Sequence, residues 1–234
     1  INNKADQRQN YIRMTAYVQY GPDNSFTNIY SNKEIEALTS EQLLSSIKDL
    51  MGYNHTILYY GPMPVEKFVE DINKVHNIAE SLKPMPESKQ FVQLQTKEDM
   101  VFIAPYDAKQ IYMISYSNTG ETFDPAKEPL IKMYGSYFGG GMNSIVFQEM
   151  REARGLAYSS SARLYQPTHK DDSYMYYAFI ATQNDKMKTA IEAFDEIINQ
   201  MPESETAFSI AKEALISSIR TDRTTSRNII GRYV

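Results

Sequence analysis

Residues 137–162, YFGGGMNSIVFQEMREARGLAYSSSA, hold three consecutive glycines, a helix-like segment, a fourth glycine and then a strand pattern carrying a tyrosine. A phosphate cradle needs a strand just before its glycines and either G-x-G-x-x-G spacing or a G-K-[ST] ending, so that backbone N–H groups and a lysine converge on the anion. Here Gly139-Gly140-Gly141 is followed by Met142-Asn143-Ser144, with no lysine and no further glycine at the required offset. Two readings stay open. The glycines separate two consecutive helices with φ values other residues tolerate poorly, or they form a closely approached wall of a peptide-binding cleft.

The segment after the glycines, about Asn143 to Arg154, turns Ile145, Val146 and Met150 toward a core and Gln148, Glu149, Arg151 and Glu152 outward, with Gly155 as its stop. Arg151 then sits near the helix C-terminus and Tyr158 just inside the next strand, so a sharp reversal brings a guanidinium and a phenol to one end of a sheet. An arginine there otherwise complements the helix dipole, and a strand tyrosine otherwise packs with its hydroxyl at the rim.

Outward from this stretch the pattern alternates helices with strand pairs. Residues 4–19 read as a polar helix ended at Gly21-Pro22, and Thr39 with Gln42 forms a capping box opening a helix whose apolar face is Leu43, Leu44, Ile47, Leu50 and Met51. A short strand over His55–Tyr60, a helix from Pro64 to Val75 and a polar linker over residues 79–96 follow. Strands are expected over Met100–Ala104 and Gln110–Ser117, a helix from Pro125 into the glycines, and strands over Leu156–Tyr165 and Tyr174–Thr182. Two helices close the chain, the first spaced by Met187, Ala190, Ile191, Phe194, Ile197, Ile198 and Met201, the second by Ala207, Ile210, Ala211, Ala214, Leu215 and Ile219. Paired strands among paired helices imply an α+β fold, a mostly antiparallel sheet with helices packed on one face.

At 234 residues and 42% hydrophobic composition the chain can bury a sizeable core. A net charge of −5 gives no general attraction to nucleic acid or an anionic membrane surface. Arg220, Arg223, Arg227 and Arg232 do not change that expectation, because Glu213 and Asp222 interrupt them and aromatic residues are scarce among them. No apolar run approaches a membrane span. Without cysteine there is neither a thiol nucleophile nor Cys-ligated zinc, and the compartment is left open. The first residues carry no targeting signal, and the chain, starting without Met and stopping in GRYV, reads as a piece of a longer protein.

Hydrolytic chemistry is constrained in the same way. The three histidines, His55, His76 and His169, belong to no H-E-x-x-H or H-x-x-E-H pair, so no catalytic zinc is expected in this chain. No G-x-S-x-G elbow is present, and Ser159-Ser160-Ser161 lies in a strand pattern without an identifiable base.

The glycines and the run Arg151-Glu152-Ala153-Arg154-Gly155-Leu156-Ala157-Tyr158 resemble the glycine-rich segment and R-E-x-x-G-L-A-Y signature of C-terminal domains in the pitrilysin/insulinase family of zinc metallopeptidases, inverzincins related to mitochondrial processing peptidase. The likeness extends through EIEALTSEQLLSSIKDLMGYNHTILYYGPMPVEKFVEDI and covers roughly residues 30–220. It implies a processing-peptidase-like domain over residues 30–234, with residues 1–29 as the tail helix and connector of a preceding domain.

It further implies a half-enzyme. In such proteins two homologous halves close around an unfolded peptide. The half with H-x-x-E-H holds zinc and the base, while the other offers an arginine and a tyrosine that match Arg151 and Tyr158. The arginine would fork onto a substrate carbonyl and the tyrosine hydroxyl would bond the developing oxyanion. Gly139, Gly140 and Gly141 would border the substrate. The zinc half, expected upstream in the same polypeptide or on another chain, and peptide substrates are then the partners. The alternative implied by the same likeness is a non-catalytic scaffold or peptide-presenting subunit.

Overall fold

The computed structural model describes residues 6–77, 80–167, 169 and 171–233. Along the chain run helices α1 (Gln7–Tyr20), α2 (Asn32–Glu36), α3 (Ser40–Leu50) and α4 (Val65–Val75), strand β1 (Gln110–Thr122), and helices α5 (Glu128–Tyr134) and α6 (Ile145–Phe147). Strands β2 (Ser159–Tyr165) and β3 (Ser173–Gln183) follow, then helices α7 (Met187–Asn199), α8 (Glu205–Thr221) and α9 (Ile229–Tyr233). π-helical turns prolong α5 over Gly135–Gly139 and α6 over Gln148–Ala153. The chain divides into two compact units, Ile1–Asn28 with Phe91–Thr221 and Ile29–Gln90 with Asp222–Val234.

In the first unit the strands form an antiparallel sheet in the order β1-β3-β2. Residues alternate across a pleated strand, and the register sorts them. Met113, Ile180 and Ser160 fall on one face, Ile114, Phe179 and Ser161 on the other. The first face carries the core. Phe138 from the end of α5, Val146 and Met150 from α6 and its extension, and Phe194 and Ile197 from α7 are almost fully buried with Ala162, Ala178 and Ile180. Side chains of this size contribute roughly 1.5–3 kcal/mol each when fully buried. Ala211 adds α8 to the same cluster, so an antiparallel sheet with α5 to α8 packed on this face gives the α+β arrangement the sequence implies.

The spacing of α7 is matched by burial at Ala190, Phe194 and Ile197 but not at Ile191 or Met201, which are exposed, and Ile210 and Ile219 of α8 stay exposed as well. Tyr137 ties these layers together, its hydroxyl donating to the Pro202 carbonyl at 2.8 Å and accepting from Ser204 N–H at 3.0 Å at the head of α8. Helix α1 lies on the opposite face. Gln7 donates to the Gln110 carbonyl at 2.9 Å and the Tyr11 ring meets Tyr112 and Phe179 edge-on. The expected stop of α1 is present at Gly21, whose φ of 75° lies in the left-handed region. The polar linker is less idle than its composition suggests. Gln93, buried, exchanges hydrogen bonds with the Ser173 backbone at 2.9 and 3.3 Å, and Leu94 N–H reaches the Gln19 carbonyl.

In the second unit the capping box of α3 is made as expected. Thr39 Oγ1 accepts from Gln42 N–H at 3.3 Å and Gln42 Oε1 accepts from Thr39 N–H at 2.8 Å. Its apolar face, Leu43, Leu44, Ile47 and Leu50, is exposed. The strand expected over His55–Tyr60 is not formed. Backbone pairing stops at an isolated bridge between Tyr53 and Lys83, with Asn54 N–H on the Lys83 carbonyl, and among the described residues no ladder partner accompanies residues 55–60. The same holds in the first unit for Met100–Ala104, where Val101 and Ile103 are exposed. β-branched composition makes a strand only where a neighbouring backbone supplies the ladder.

Candidate functional site

Between Ser144 and Ser159 the chain makes a helix, a reversal and a strand entry. Ser144 caps the helix start, its hydroxyl accepting from Phe147 N–H at 3.4 Å while donating to the Gly141 carbonyl at 2.6 Å. Ile145, Val146 and Met150 turn inward as their spacing implies. Gly155 then takes φ 57°, a left-handed value glycine adopts without the Cβ penalty. The Met150 carbonyl accepts from both Leu156 and Ala157 N–H, and Tyr158 N–H reaches the Ala181 carbonyl at 2.9 Å on β3. Lys186 Nζ holds the Gly155 carbonyl from outside at 3.1 Å.

This reversal brings Arg151 and Tyr158 together. The guanidinium carbon of Arg151 lies 5.6 Å from the centre of the Tyr158 ring and 5.0 Å from that of Phe147, within the range of cation–π attraction. Tyr158 is 74% exposed and the Arg151 side chain 45%. Glu152 stands 3.5 Å from Arg151 Nε. The planar cation is therefore oriented by two rings while polar N–H groups and the phenol remain open to solvent. Phe147 was not picked out by the sequence reading, although its position one helical turn before Arg151 was a usable signal. The neighbouring Arg154 has a different fate. It bridges Glu196 of α7 at 2.8 Å and Glu149 at 3.5 Å. Its hydrogen bond to Glu196 raises the guanidinium pKa and lowers that of the carboxylate.

The three glycines separate two helical segments, but the expected reason needs correction. Positive φ among the glycines occurs only at Gly21, Gly120 and Gly155 within the described residues, so unusual φ does not select glycine at positions 139–141. Contact does. A Cβ on Gly139 would stand 2.0 Å from the Ala162 carbonyl oxygen and 2.5 Å from its nitrogen, because the end of the α5 extension is pressed onto the backbone of β2. A Cβ on Gly140 would stand 2.3 Å from the Gly135 carbonyl oxygen, across the π-helical turn. Arg163 donates to the Gly140 carbonyl at 3.3 Å. Around Gly141 there is open space. Gly141→Ala is accordingly expected to change unfolding free energy by no more than about 0.5 kcal/mol. Thermal or urea denaturation of the two proteins side by side checks this.

A cavity of about 600 Å³ opens on the sheet face opposite the core, beneath α1. Its walls include Tyr11 and Phe26, with Arg163, Tyr165, Tyr177 and Phe179 from the strands. Burial pushes the Tyr11 hydroxyl up to about 12 and raises that of Tyr177 as well, so both are neutral phenols at physiological pH. Residues 163, 165, 177 and 179 alternate along β2 and β3, a period that marks one face but leaves open which helix roofs it.

Among the described residues no group of three or more His, Cys, Asp or Glu side chains is placed to hold a metal ion, and no helix is long and apolar enough to cross a membrane. His55 and His76 lie in the second unit, apart in sequence from Arg151 and Tyr158.

Comparison with known proteins adds three findings. Residues 37–215 match a protein-family model described as the peptidase M16 inactive domain. A crystal structure of a peptidase M16 inactive domain from Pseudomonas fluorescens is similar to this chain over 99% of its length at 15% identity, with a TM-score of 0.61. The ferredoxin protease FusC, solved as a mutant in complex with Arabidopsis ferredoxin, is similar over 94% at 13% identity, with a TM-score of 0.63. The chain spans 55% of the first of these proteins and 24% of the second. At such identities the likeness is one of fold. No curated protein sequence matches the chain.

Proposed function

The chain belongs to the peptidase M16 family, as its inactive domain, and we propose that it is the substrate-clamping, zinc-free half of a zinc metalloendopeptidase that hydrolyses short or unfolded peptides. The observation that supports this best is the Arg151–Tyr158 pair, held 5.6 Å apart and open to solvent. Zinc and its general base belong to the H-x-x-E-H half, upstream in the full-length chain or on another subunit, and supply the electrophilic and basic part of the reaction.

What this chain contributes is binding and charge stabilisation. The guanidinium of Arg151 presents a planar set of donors suited to a peptide carbonyl. The Tyr158 hydroxyl donates to negative charge that grows on the scissile carbonyl oxygen, where a fixed donor is worth more than a mobile water. Gly139 keeps the turn flat against β2, Gly140 lets the turn close on the Gly135 carbonyl, and exposed Gly141 offers a substrate a wall without side chain. In this reading residues 30–234 are the C-terminal-type domain and residues 1–29 the tail helix and connector that lead into it.

The test is reconstitution. This chain and the polypeptide bearing H-x-x-E-H are purified separately and assayed, alone and mixed, on an unstructured fluorogenic peptide. Hydrolysis is expected from the mixture, with neither part approaching that rate alone. If the zinc half alone matches the mixture, the clamp is dispensable. If a stable complex forms and cleaves nothing, a non-catalytic peptide-presenting subunit takes its place.

A further inference from the structure

Two histidines that the peptidase reading does not use meet in the second unit. His55 follows the backbone bridge at Tyr53, and His76 is the residue that ends α4, its N–H on the Ile72 carbonyl at 2.7 Å. Their Nε2 atoms are 2.7 Å apart and the rings stand edge-on at 88°. His55 is exposed and His76 half-buried.

The tautomer of His55 follows from its other nitrogen. Nδ1 lies 2.7 Å from the Tyr53 carbonyl oxygen, which can only accept, so Nδ1 carries the proton and Nε2 of the neutral ring is a lone pair. The Tyr53 carbonyl is itself held in place, since the residues on either side of it pair with Lys83: Asn54 N–H bonds the Lys83 carbonyl at 2.8 Å and Lys83 N–H bonds the Gly52 carbonyl at 2.7 Å. An imidazole whose outer N–H is fixed on a backbone carbonyl, and whose inner nitrogen is bare, has the arrangement of an oriented metal ligand.

We propose that His55 and His76 form a two-histidine site for a late first-row divalent cation, with water completing the coordination sphere. Metal–nitrogen bonds of about 2.0–2.1 Å at a tetrahedral angle separate the two nitrogens by about 3.3 Å. The present pair needs to open by only about 0.6 Å to admit an ion. Rotation of the exposed His55 and the half-buried His76 side chains supplies that movement and turns both Nε2 atoms toward one ion. His76 donates its Nε2–H to His55 in this arrangement, and as a ligand it would carry its proton on Nδ1 and leave Nε2 bare. Imidazole donors suit Zn²⁺, Ni²⁺ and Cu²⁺ rather than Mg²⁺ or Ca²⁺. Bound there, the ion fastens the C-terminal end of α4 to the segment at Tyr53–His55. The site shares no residue with the Arg151–Tyr158 pair and does not depend on the peptidase reading.

The experiment titrates ZnCl₂ into the chelator-stripped chain by calorimetry and follows the histidine ¹⁵N resonances. One ion per chain is expected, with the Nε2 signals of His55 and His76 shifting while His55 Nδ1 keeps its proton. His55→Ala and His76→Ala should each weaken binding at least about tenfold, and His169→Ala should leave it unchanged. Melting in EDTA shows whether the variants are folded. Binding that survives in both single variants, that is lost with His169→Ala, or that is absent from the unmutated chain overturns the proposal.

Discussion

Tyr158→Phe is expected to lower kcat for peptide hydrolysis by the reconstituted peptidase by about 10²–10³-fold, the range found when one oxyanion donor is removed. The substitution is clean because of where the ring lies. Phe keeps the aromatic face 5.6 Å from the Arg151 guanidinium, so the cation–π contact and the position of Arg151 survive while the hydroxyl alone is lost. At 74% exposure the side chain bears no core packing, and thermal stability should not move. An interaction made only in the transition state appears in kcat and in kcat/KM to the same extent, with KM unchanged. Steady-state kinetics on a short peptide separate the cases. A change confined to KM would make Tyr158 a contact for bound substrate. Unchanged kinetics would remove it from the site and leave Arg151 as the clamp's polar element.

What could be read from the sequence was local. Thr39 and Gln42 satisfy one another within a single turn, and Gly155 stops a helix whose inward residues Ile145, Val146 and Met150 lie within five positions of one another, so no distant chain segment enters either reading. The meeting of Arg151 with Tyr158 was foreseeable for the same reason, since only the reversal at Gly155 lies between them. Where the reading failed, the deciding partner was remote. Strands at His55–Tyr60 and Met100–Ala104 needed a ladder that their own composition could not supply. The cavity under α1 needed residues near position 11 to meet residues near position 179, and Gln93 needed Ser173. The glycines stand out in the sequence, yet spacing alone leaves their cause open, because the atom that forbids a side chain at Gly139 belongs to Ala162, on another element.

That remote contact makes Gly139→Ala the substitution with the largest expected effect on stability, a loss of roughly 3 kcal/mol or more. Two effects oppose one another. Alanine favours a helical backbone over glycine by about 1 kcal/mol, and position 139 closes a helical turn. Against this, the new methyl would fall 2.0 Å from the Ala162 carbonyl oxygen, far inside van der Waals contact, and its neighbours are backbone atoms of β2 with no rotamer to give way. Relief requires the α5 extension to lift off the sheet, which parts buried Phe138 from the shared core. The clash wins. For a chain of this length the loss corresponds to a melting temperature lower by about 6–12 °C, measurable by circular dichroism beside Gly141→Ala, whose methyl meets nothing within 4 Å. Equal melting temperatures for the two variants would mean that the turn does not rest on β2, and with it would go the account of why glycines stand before Arg151 and Tyr158.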